Sequence, residues 1–361
     1  MKKVIWFMKG YANLYHAIAD IKSADIESQF EVLCTHENKG FVGFESADFF
    51  EIEPQCSDEN FIKFCLDMVM KYKVNVIFAS QRQGLLIKNK QKFRALGAEV
   101  VTVANEKMIN SINNKSKLYT MLKGNSVVKI PTFKSFGTSK EFNKTYDELR
   151  KIHKQLCIKP LQGVYGVGFY VLKESTDQLK NQLSQSQIWS VKGFKKSIKN
   201  RVFKKMMLMQ FLEGNERSVD CVAYHGDLIG GVIRKKLSSK LPQVIEDNPK
   251  LIEQVKWLTK RLNLNGMYNI QFRDCNGEHY LLEINTRLSG RSFYATMAGL
   301  NLPYVASLVF SGLKKPEEII FKVDKGMLIS AVTKGIVIKN KLLSNLANSM
   351  DMPVVNKNES E

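Results

Sequence analysis

The first hundred residues alternate between short β-rich runs and segments of helical period, and this alternation limits the fold more than any other feature. The β-rich runs are Val4–Met8, Phe30–Cys34, Val74–Ala79 and Glu99–Val103. Apolar residues recur at helical spacing in the intervening segments 13–23, Phe61–Tyr72 and 87–97. Strands separated by helices of this length are typical of parallel βαβ units. The sequence therefore predicts a small, doubly wound α/β domain in this part of the chain.

After Pro131 the pattern changes, because strand candidates now alternate with turns as they do in antiparallel hairpins. These candidates are Gln155–Lys159, Gly168–Leu172, Lys205–Leu212, Ser218–His225, Asp227–Arg234, Tyr268–Arg273 and His279–Ile284. Helices are predicted at Thr145–His153 and Lys250–Leu262. The helical pattern of residues 105–125 is interrupted by polar residues 113–116, so two helices are expected to meet there. This second part is predicted to be an α+β region.

Charge is the least ordinary feature of the composition. The chain has 54 Lys and Arg residues against 35 Asp and Glu residues, a formal net charge of +19. Such an excess indicates an anionic partner, which could be nucleic acid, a membrane surface, phosphates or an acidic small molecule. With 44% hydrophobic and 25% charged residues, the chain is excluded from the disordered and disulfide-scaffold classes.

The cysteines and apolar runs favour a cytoplasmic protein. Six scattered cysteines without a C-x-x-C pair indicate reduced thiols rather than a disulfide framework. The apolar run after Met1 ends at Lys9, which is too short for a signal peptide. No apolar run approaches the ~18 residues of a transmembrane helix, so no membrane partner is expected.

The first cluster of candidate functional residues lies in the segment Cys157–Gly168. An apolar strand ends in Lys159-Pro160, passes through a loop with glycines at 163, 166 and 168, and resumes as a strand. Glycines let backbone N–H groups approach a polyphosphate closely, and a lysine adds a point charge beside them. A glycine-rich hairpin with a surface lysine is an equally good interpretation of this cluster alone.

The second cluster is Met206–Asp220, where an apolar strand leaves the core at Gly214 and returns through Ser218. Backbone groups at such an exit can bond an adenine edge while Met and Phe side chains cover its faces. Glu216 follows the turn and is placed to accept ribose hydroxyls. A plain hairpin with solvated acids is the alternative for this cluster taken alone.

The third cluster, Asn269–Arg287, is the sharpest. Asn276-Gly277 is a strong two-residue hairpin signal between alternating strands. Gln271 and Glu283 lie on its two arms, and Asn285 shares a face with Glu283. Three oxygen-bearing side chains on one face suit Mg²⁺, and Arg287 is placed to meet an anion that the metal holds.

Together the three clusters resemble the ATP-grasp superfamily of ATP-dependent ligases, in motif style the carbamoyl phosphate synthetase and biotin carboxylase branch. The resemblance covers roughly residues 100–312 as a single set of motifs. It implies a stand-alone α/β and α+β protein, with a Rossmann-like N-terminal domain followed by a two-lobed ATP-grasp fold. The implied domains are 1–104 (pre-ATP-grasp), 105–204 (lobe A), 205–312 (lobe B) and 313–361 (C-terminal extension).

The resemblance also assigns residues to ATP, which it implies as the cofactor. These residues are Lys115, Lys159, Gly163, Gly166, Gly168, Gln210, Phe211, Leu212 and Glu216. The two lysines would contact the phosphates under the glycine loop, and the segment from Gln210 would hold adenine. Asn114 stands before Lys115 where the family commonly has an acid.

For the metal, the resemblance implies Gln271, Glu283 and Asn285 as ligands of one or two Mg²⁺ ions, with Mn²⁺ as an alternative. Gln271 is neutral where many relatives have a carboxylate, which lowers the charge of the site. Arg287 would steady the transferring phosphoryl or acyl phosphate group, and Arg234 is a further candidate for binding an anion. A solvated basic strand end is an equally good interpretation of Arg234, because Lys235 and Lys236 follow it.

The implied reaction is ATP-dependent activation of a carboxylate as an acyl phosphate, followed by attack of an amine with release of phosphate. The partners would then be a small-molecule carboxylate and an amine, and a homodimer is left open. Arg82 in the segment Ser80–Gly84, which follows a strand end, and Arg291 are weak candidates for holding a carboxylate.

Two alternatives come from other functional classes. Residues 192–205 hold seven basic residues, no acids and interleaved aromatics, as some single-strand nucleic-acid binders do. We favour a solvated insertion between the lobes, so nucleic acid is an unlikely partner that the charge still allows. The second alternative is a regulatory module that binds ATP without turnover.

Overall fold

The computed structural model describes residues 2–10, 13–162, 168–174, 187–201, 203–237 and 242–338. Contacts divide the chain into two compact units. The first includes Met1–Thr102 and Ser289–Lys322, and the second includes Val103–Leu288 and Val323–Ser330. Residues 289–312, which the sequence assigned to lobe B, thus pack with the first unit. The four-domain division stays a prediction.

The strands of the described residues are β1 (Lys3–Phe7), β2 (Phe30–His36), β3 (Phe49–Ile52), β4 (Val74–Phe78), β5 (Glu99–Val101), β6 (Phe133–Phe136), β7 (Leu156–Pro160), β8 (Tyr170–Lys173), β9 (Ile188–Ser190), β10 (Met206–Gln210), β11 (Glu216–Tyr224), β12 (Asp227–Lys236), β13 (Gln243–Glu246), β14 (Gly266–Cys275), β15 (Glu278–Asn285) and β16 (Leu328–Ile329).

The helices of the same residues are α1 (Leu14–Ala24), α2 (Asp58–Tyr72), α3 (Gln83–Lys88), α4 (Lys90–Ala95), α5 (Glu106–Ile112), α6 (Lys115–Met121), α7 (Ser139–Arg150), α8 (Val191–Ile198), α9 (Pro249–Arg261), α10 (Phe293–Met297) and α11 (Leu302–Phe310), with 3₁₀ turns at Val42–Ser46 and Pro316–Glu318.

The first unit is built on a five-stranded sheet of order β3-β2-β1-β4-β5 in which every pair is parallel. Strands β1, β2 and β4 are buried on both faces, as crossover helices require, whereas the edge strand β3 is half-buried. Helix α2 shows the sequence logic: Ser57 caps its N-terminus, and Phe61, Cys65 and Met68 form a buried stripe. This confirms the predicted Rossmann-like fold.

One helix of this unit differs from its prediction. The single helix expected over 87–97 is two short ones, α3 and α4, separated at Asn89. The side chain of Asn89 donates to the carbonyl of Leu85 at 3.0 Å, a local bond that competes with a continuous helix. The apolar residues Leu86 and Phe93 are nevertheless both buried, which explains the helical period in the sequence.

The second unit has two sheets. One has the order β6-β10-β7-β8-β9 and the other the order β15-β14-β11-β12-β13-β16. All pairs of the second sheet are antiparallel, and β8–β9 is the parallel pair of the first. Helix α9 packs on β12, while α7 and α8 share a core with the first sheet.

The basic segment 192–205 is only in part the solvated insertion that the sequence suggested, because its basic side chains are mostly exposed but its aromatics are not. Helix α8 (191–198) overlaps the segment, and its residues Val191, Phe194 and Ile198 are buried against α7 and the sheet. The aromatics of this segment thus belong to the core of the unit. Lysines occupy the opposite face of the helix, as amphipathic packing requires.

The hairpin β14–β15 has the predicted two-residue turn. Asn276 and Gly277 have φ values of 51° and 76°, the left-handed pair that a type I′ turn needs. The register then shifts: Phe272 lies opposite Leu281 but Gln271 lies opposite Glu283, so Leu282 is the extra residue of a β-bulge. Without this bulge, Gln271 and Glu283 would point to opposite faces.

Candidate active site

Helix α6 carries the first lysine of the predicted site. Asn114 caps the helix, since its Oδ1 accepts a hydrogen bond from the backbone N–H of Lys117 at 3.1 Å. Asparagine serves as an N-cap as well as aspartate does, which explains the neutral residue at this position. The backbone N–H of Lys115 donates to the carbonyl of Leu161 at 3.0 Å and so ties α6 to the loop after β7.

Lys115 and Glu283 connect α6 with the hairpin. The Lys115 Nζ lies 3.0 Å from Glu283 Oε2, and the lysine side chain is only 12% exposed. Burial alone would raise the pKa of Glu283, but the charge and hydrogen bond of Lys115 hold it below its usual value. Glu283 is therefore ionised at neutral pH and faces a cation.

Lys159, at the end of β7, is the second predicted phosphate contact. The pKa of its ammonium is lowered to about 8, mainly by burial and also by the nearby charge of Lys115, against the opposite effects of Cys157 and Glu283. Because burial disfavours the protonated form of Lys159, a bound anion would stabilise that form strongly. The two lysines and Glu283 thus form one electrostatic cluster.

Tyr119 joins this cluster and was not predicted. Its hydroxyl donates to the carbonyl of Leu282 at 2.6 Å and lies 3.5 Å from Lys159 Nζ. The residue is fully buried, and burial raises the pKa of its hydroxyl well above the usual value. The sequence did contain a signal for this contact: Tyr119 lies four residues after Lys115, and residues at this spacing share one face of a helix.

The predicted metal ligands converge on one face of the hairpin. Gln271 lies directly opposite Glu283, and Asn285 Nδ2 is 3.3 Å from Glu283 Oε1. Among the described residues, the side chain of Gln271 makes no hydrogen bond. The bulge at Leu282 therefore produces the grouping that the sequence pattern suggested.

A buried chain of polar groups orients Asn285. Its Nδ2 donates to Asn269 Oδ1 at 3.3 Å, while Asn269 Nδ2 donates to Asp220 Oδ1 at 2.8 Å. The amide nitrogen of Asn285 thus donates to both Asn269 and Glu283, which leaves its oxygen as the atom that could bind a metal. Such supporting bonds fix the orientation of metal ligands in general.

Arg234 belongs to this buried chain. Its Nε donates to Asp220 Oδ2 at 2.6 Å and its Nη2 to Ser218 Oγ at 3.1 Å, and the residue is 1% exposed. The interpretation as a solvated strand end is wrong, since the side chain is buried. Its role in binding an anion stays a prediction.

Arg287 follows the end of β15 by two residues. Its Nη1 donates to the carbonyl of Leu288 at 3.2 Å, and the side chain is half-buried. The structure places it on the connection that leaves the hairpin, as the Glu-x-Asn-x-Arg spacing predicts. Its contact with a phosphoryl group stays a prediction.

The predicted adenine segment follows β10. Gln210 ends the strand, its backbone N–H donates to the carbonyl of Thr132 at 2.9 Å, and Phe211 N–H donates to that of Gln155 at 3.1 Å. Within the described part of the chain, the backbone groups of Leu212 make no hydrogen bond. These groups thus have unused hydrogen-bonding capacity, and the residue is 2% exposed.

Arg273 fixes this segment and was not predicted. Its Nε donates to the carbonyl of Gly214 at 3.0 Å, and its guanidinium lies 5.7 Å from the ring of Phe211. Glu216, the predicted ribose acid, pairs with Lys236 across β11 and β12. A ribose would have to compete with this half-buried ion pair.

The glycine loop is only partly described. Gly163 and Gly166 lie outside the described residues. Gly168 has a φ of +77°, and a Cβ there would lie 2.8 Å from Pro160 Cγ. Only glycine fits this return into β8 without displacing the proline.

The donor set fits a hard cation. Ionised Glu283, the amide oxygen of Asn285 and the unbonded amide of Gln271 offer three oxygen ligands on one face. The set contains one carboxylate, and the described residues contain no cluster of three or more His, Cys, Asp or Glu side chains suited to a metal.

Over the same residues, no helix is long and apolar enough to cross a membrane.

Comparison with known proteins agrees with this geometry. Residues 202–335 match the model of a family described as ATP-grasp in the biosynthetic pathway with Ter operon. Carnosine synthase 1 of Mus musculus is 27% identical over 125 residues, which cover 30% of this chain and 15% of that protein. The chain thus spans a small part of the curated relative that it matches.

Two solved structures show the same fold. An N5-carboxyaminoimidazole ribonucleotide synthetase (purK) in complex with ADP superposes with a TM-score of 0.64 at 14% identity, covering 90% of this chain and 79% of that one. A biotin carboxylase from Campylobacter jejuni in complex with an ATP analogue gives 0.62 at 16% identity, covering 90% and 74%. The predicted fold class is confirmed, and a biotin carboxylase is among the structures that share this fold.

Proposed function

We propose that this chain, which has the ATP-grasp fold, is an ATP-dependent ligase that joins a carboxylate to an amine. It would activate the carboxylate as an acyl phosphate and release ADP and phosphate when the amine attacks. The observation that carries the proposal is the cluster of Lys115, Lys159 and Glu283, which three separate elements bring together.

The cluster suits phosphoryl transfer because this reaction needs positioned charge more than a protein nucleophile. Lys115 and Lys159 would hold the phosphates of ATP, and the backbone of Leu212 would bond the adenine edge. Gln271, Glu283 and Asn285 would hold Mg²⁺, which neutralises phosphate oxygens when bound. Arg287 would then meet the transferring group.

Lys115 also explains how Glu283 stays ionised before a metal arrives. The ammonium at 3.0 Å holds the pKa of this carboxyl low in a buried setting. When a cation takes its place beside Glu283, the Lys115 ammonium would turn toward the phosphates. The Lys115–Glu283 pair therefore keeps a carboxylate ready for the metal ion and an ammonium ready for the phosphates.

The proposal also covers the location of the protein, the metal ions that it binds and its oligomeric state. Six free cysteines support a cytoplasmic location. One Mg²⁺ is expected to bind more tightly than a second, since the donor set holds a single carboxylate, and Mn²⁺ is expected to replace it. A homodimer stays a prediction that sedimentation velocity can test.

The test is a phosphate-release screen in which carboxylic acids are paired with amines in the presence of MgATP. We expect at least one pair to release phosphate and form ADP in equal amount. Glu283→Ala should lower this rate by roughly 100-fold or more. Exposed Glu253, which pairs with Lys256 on α9, supplies the matched control Glu253→Ala.

Two outcomes would count against the proposal. Full turnover in Glu283→Ala would remove the assigned metal ligand from the mechanism. Tight binding of MgATP without phosphate release, whatever the acid and amine, would favour a regulatory module.

A further inference from the structure

A cavity of about 250 Å³ lies in the first unit and is not used by the ATP site. Its walls come from residues that follow the carboxyl ends of four parallel strands, β1 to β4. The sheet order reverses between β1 and β4, so this is the topological switch point of the domain. Open α/β sheets bind their ligands at this place.

One wall of the cavity offers a cation. Arg82 follows β4, and its guanidinium lies over the ring of Phe61 at 4.4 Å. Its polar contacts are long: 3.5 Å to the carbonyl of Cys56 and 3.7 Å to Asp58 Oδ1. A guanidinium has five N–H donors in a fork that matches a carboxylate, so most of its capacity remains for a ligand.

The opposite charge comes from Glu53, which is 9% exposed. Its Oε1 accepts from the backbone N–H of Lys9 at 2.9 Å and from the Thr35 hydroxyl at 2.7 Å. In the part of the chain that the structure describes, Oε2 has no hydrogen-bond partner. Burial raises the pKa of this carboxyl, while the backbone N–H of Lys9, the Thr35 hydroxyl and the charge of Lys9 act in the opposite direction.

The remaining charges of the cavity cancel. Lys9 Nζ forms an ion pair with Glu37, the residue that follows β2. Arg82 and Glu53 are therefore the groups whose charge a ligand would meet. A dicarboxylate would face Glu53 with like charge, and a simple cation would leave Arg82 unused.

We infer that this cavity binds a small α-amino acid, whose carboxylate contacts Arg82 and whose ammonium contacts Glu53. A zwitterion is the ligand class that satisfies both walls at once. The volume suits such a molecule, since drug-sized ligands fill pockets of about 300–1,000 Å³. That this amino acid is the amine substrate of the ligase rests on the proposed function.

Cys56 provides a test that needs no turnover. It lines the cavity and is half-buried, as is Cys275 near the adenine segment, whereas the other four cysteines are buried. Alkylation by iodoacetamide would be followed at each cysteine by mass spectrometry, with L-amino acids added one at a time. We expect at least one amino acid to slow the alkylation of Cys56 and leave Cys275 unchanged.

Propionate and propylamine are the matched probes with only one of the two charges, and neither should protect Cys56. Arg82→Met should raise the amino acid concentration needed for protection by at least roughly tenfold, and Arg82→Lys should restore part of it. Arg94→Met, which removes an exposed arginine paired with Glu99, is the control. Glu53→Gln should act like Arg82→Met if the variant folds.

Failure of the cavity assignment and of the proposed function can be told apart. If no amino acid protects Cys56, or if protection is unchanged in Arg82→Met, the cavity assignment is wrong even where phosphate is released. If protection follows the predicted pattern but no acid and amine release phosphate, the amino acid site stands and the ligase proposal falls.

Discussion

Lys159 should make ATP binding depend on pH. Its pKa of about 8 lies below the usual lysine value because the side chain is buried. The ammonium is charged below this pH and loses its proton as pH rises through it. We therefore expect the KM for ATP to rise above pH 8, by up to about tenfold per pH unit.

The control for this prediction keeps the charge. Lys159→Arg retains a guanidinium that stays protonated, so its KM for ATP should change little between about pH 8 and pH 10. Lys134→Arg, an exposed lysine paired with Glu148, should retain the original pH profile. A profile that is the same in Lys159→Arg and the original protein would assign the titration to another group.

Asp220 should be essential for stability because it neutralises Arg234 where both residues are at most 1% exposed. Asp220→Asn leaves the guanidinium buried without its counter-ion, which typically costs about 3–5 kcal/mol. Urea unfolding should show this loss. Asp220→Leu combined with Arg234→Met should recover much of it, since replacement of a whole buried pair is often neutral.

The double variant Asp220→Leu with Arg234→Met, once its stability is recovered, tests whether the buried polar groups also orient the metal ligands. Asn269 would keep its acceptors on Ser218 and Val219 but lose the one on Asp220, so the amide of Asn285 would be held less firmly in one orientation. We expect the affinity for Mn²⁺, measured by its paramagnetic resonance signal, to fall roughly 10–100-fold. Unchanged Mn²⁺ affinity would show that the buried chain of polar groups serves folding alone.

At the scale of elements, Tyr119 connects helix α6 to the bulge of β15. Its hydroxyl bonds the carbonyl of Leu282, the extra residue that brings Gln271 opposite Glu283. Tyr119→Phe removes this buried hydrogen bond and should lower the free energy of unfolding by about 1–3 kcal/mol. It should also raise the Mg²⁺ concentration for half-maximal turnover roughly tenfold.

A matched tyrosine serves as the comparison. The hydroxyl of Tyr146 bonds Glu174 at 2.5 Å, away from the ATP cluster, so Tyr146→Phe should leave the Mg²⁺ requirement unchanged. If both variants change the Mg²⁺ requirement alike, the link between the bulge and the metal ligands is wrong.

The hairpin also shows what the sequence could predict. The Asn276-Gly277 turn and the pairing of its arms follow from local residue preferences, and both are present. The bulge at Leu282 is bonded by Tyr119, a residue 163 positions earlier in the chain. No local pattern carries such information, so these features required the structure.

Strand β6 and helix α8 were not predicted, because both are short. Strand β6 is four residues long with two exposed side chains in its centre, so it lacks a clear alternation. Helix α8 has eight residues, and its lysines concealed the apolar stripe of Val191, Phe194 and Ile198. Short elements depend on their neighbours more than on their own periodicity.

The net charge of +19 belongs to the whole molecule, and the ATP site uses only a small part of it. The exposed face of α8 and the residues after it form the densest basic segment. In the described chain, no carboxylate lies within ion-pair distance of Lys192, Lys196 or Lys199. A polyanion could therefore contact this segment through its phosphates.

Packing sets a limit on such binding. Phe194 is 2% exposed and its ring centre lies 5.2 Å from that of Trp189, and Phe203 packs on Phe136. Phe194 therefore cannot stack on a base, and the half-buried rings of Trp189 and Phe203 already contact neighbouring rings, whereas sequence-tolerant single-strand binders use stacking for much of their affinity. Contacts with nucleic acid would then rest mainly on phosphates, and such contacts weaken steeply with salt.

We therefore expect labelled single-stranded RNA to bind weakly at about 50 mM salt and to be released by about 200 mM. Replacement of Lys192, Lys196 and Lys199 by glutamine should reduce the salt dependence of binding, by roughly 0.7 in the logarithmic slope for each phosphate that is no longer neutralised. Phosphate release by the same variant should be unchanged, because none of the three lysines belongs to the ATP cluster. Sequence-selective RNA binding that persists above about 200 mM salt would instead favour nucleic acid as the partner that the charge serves.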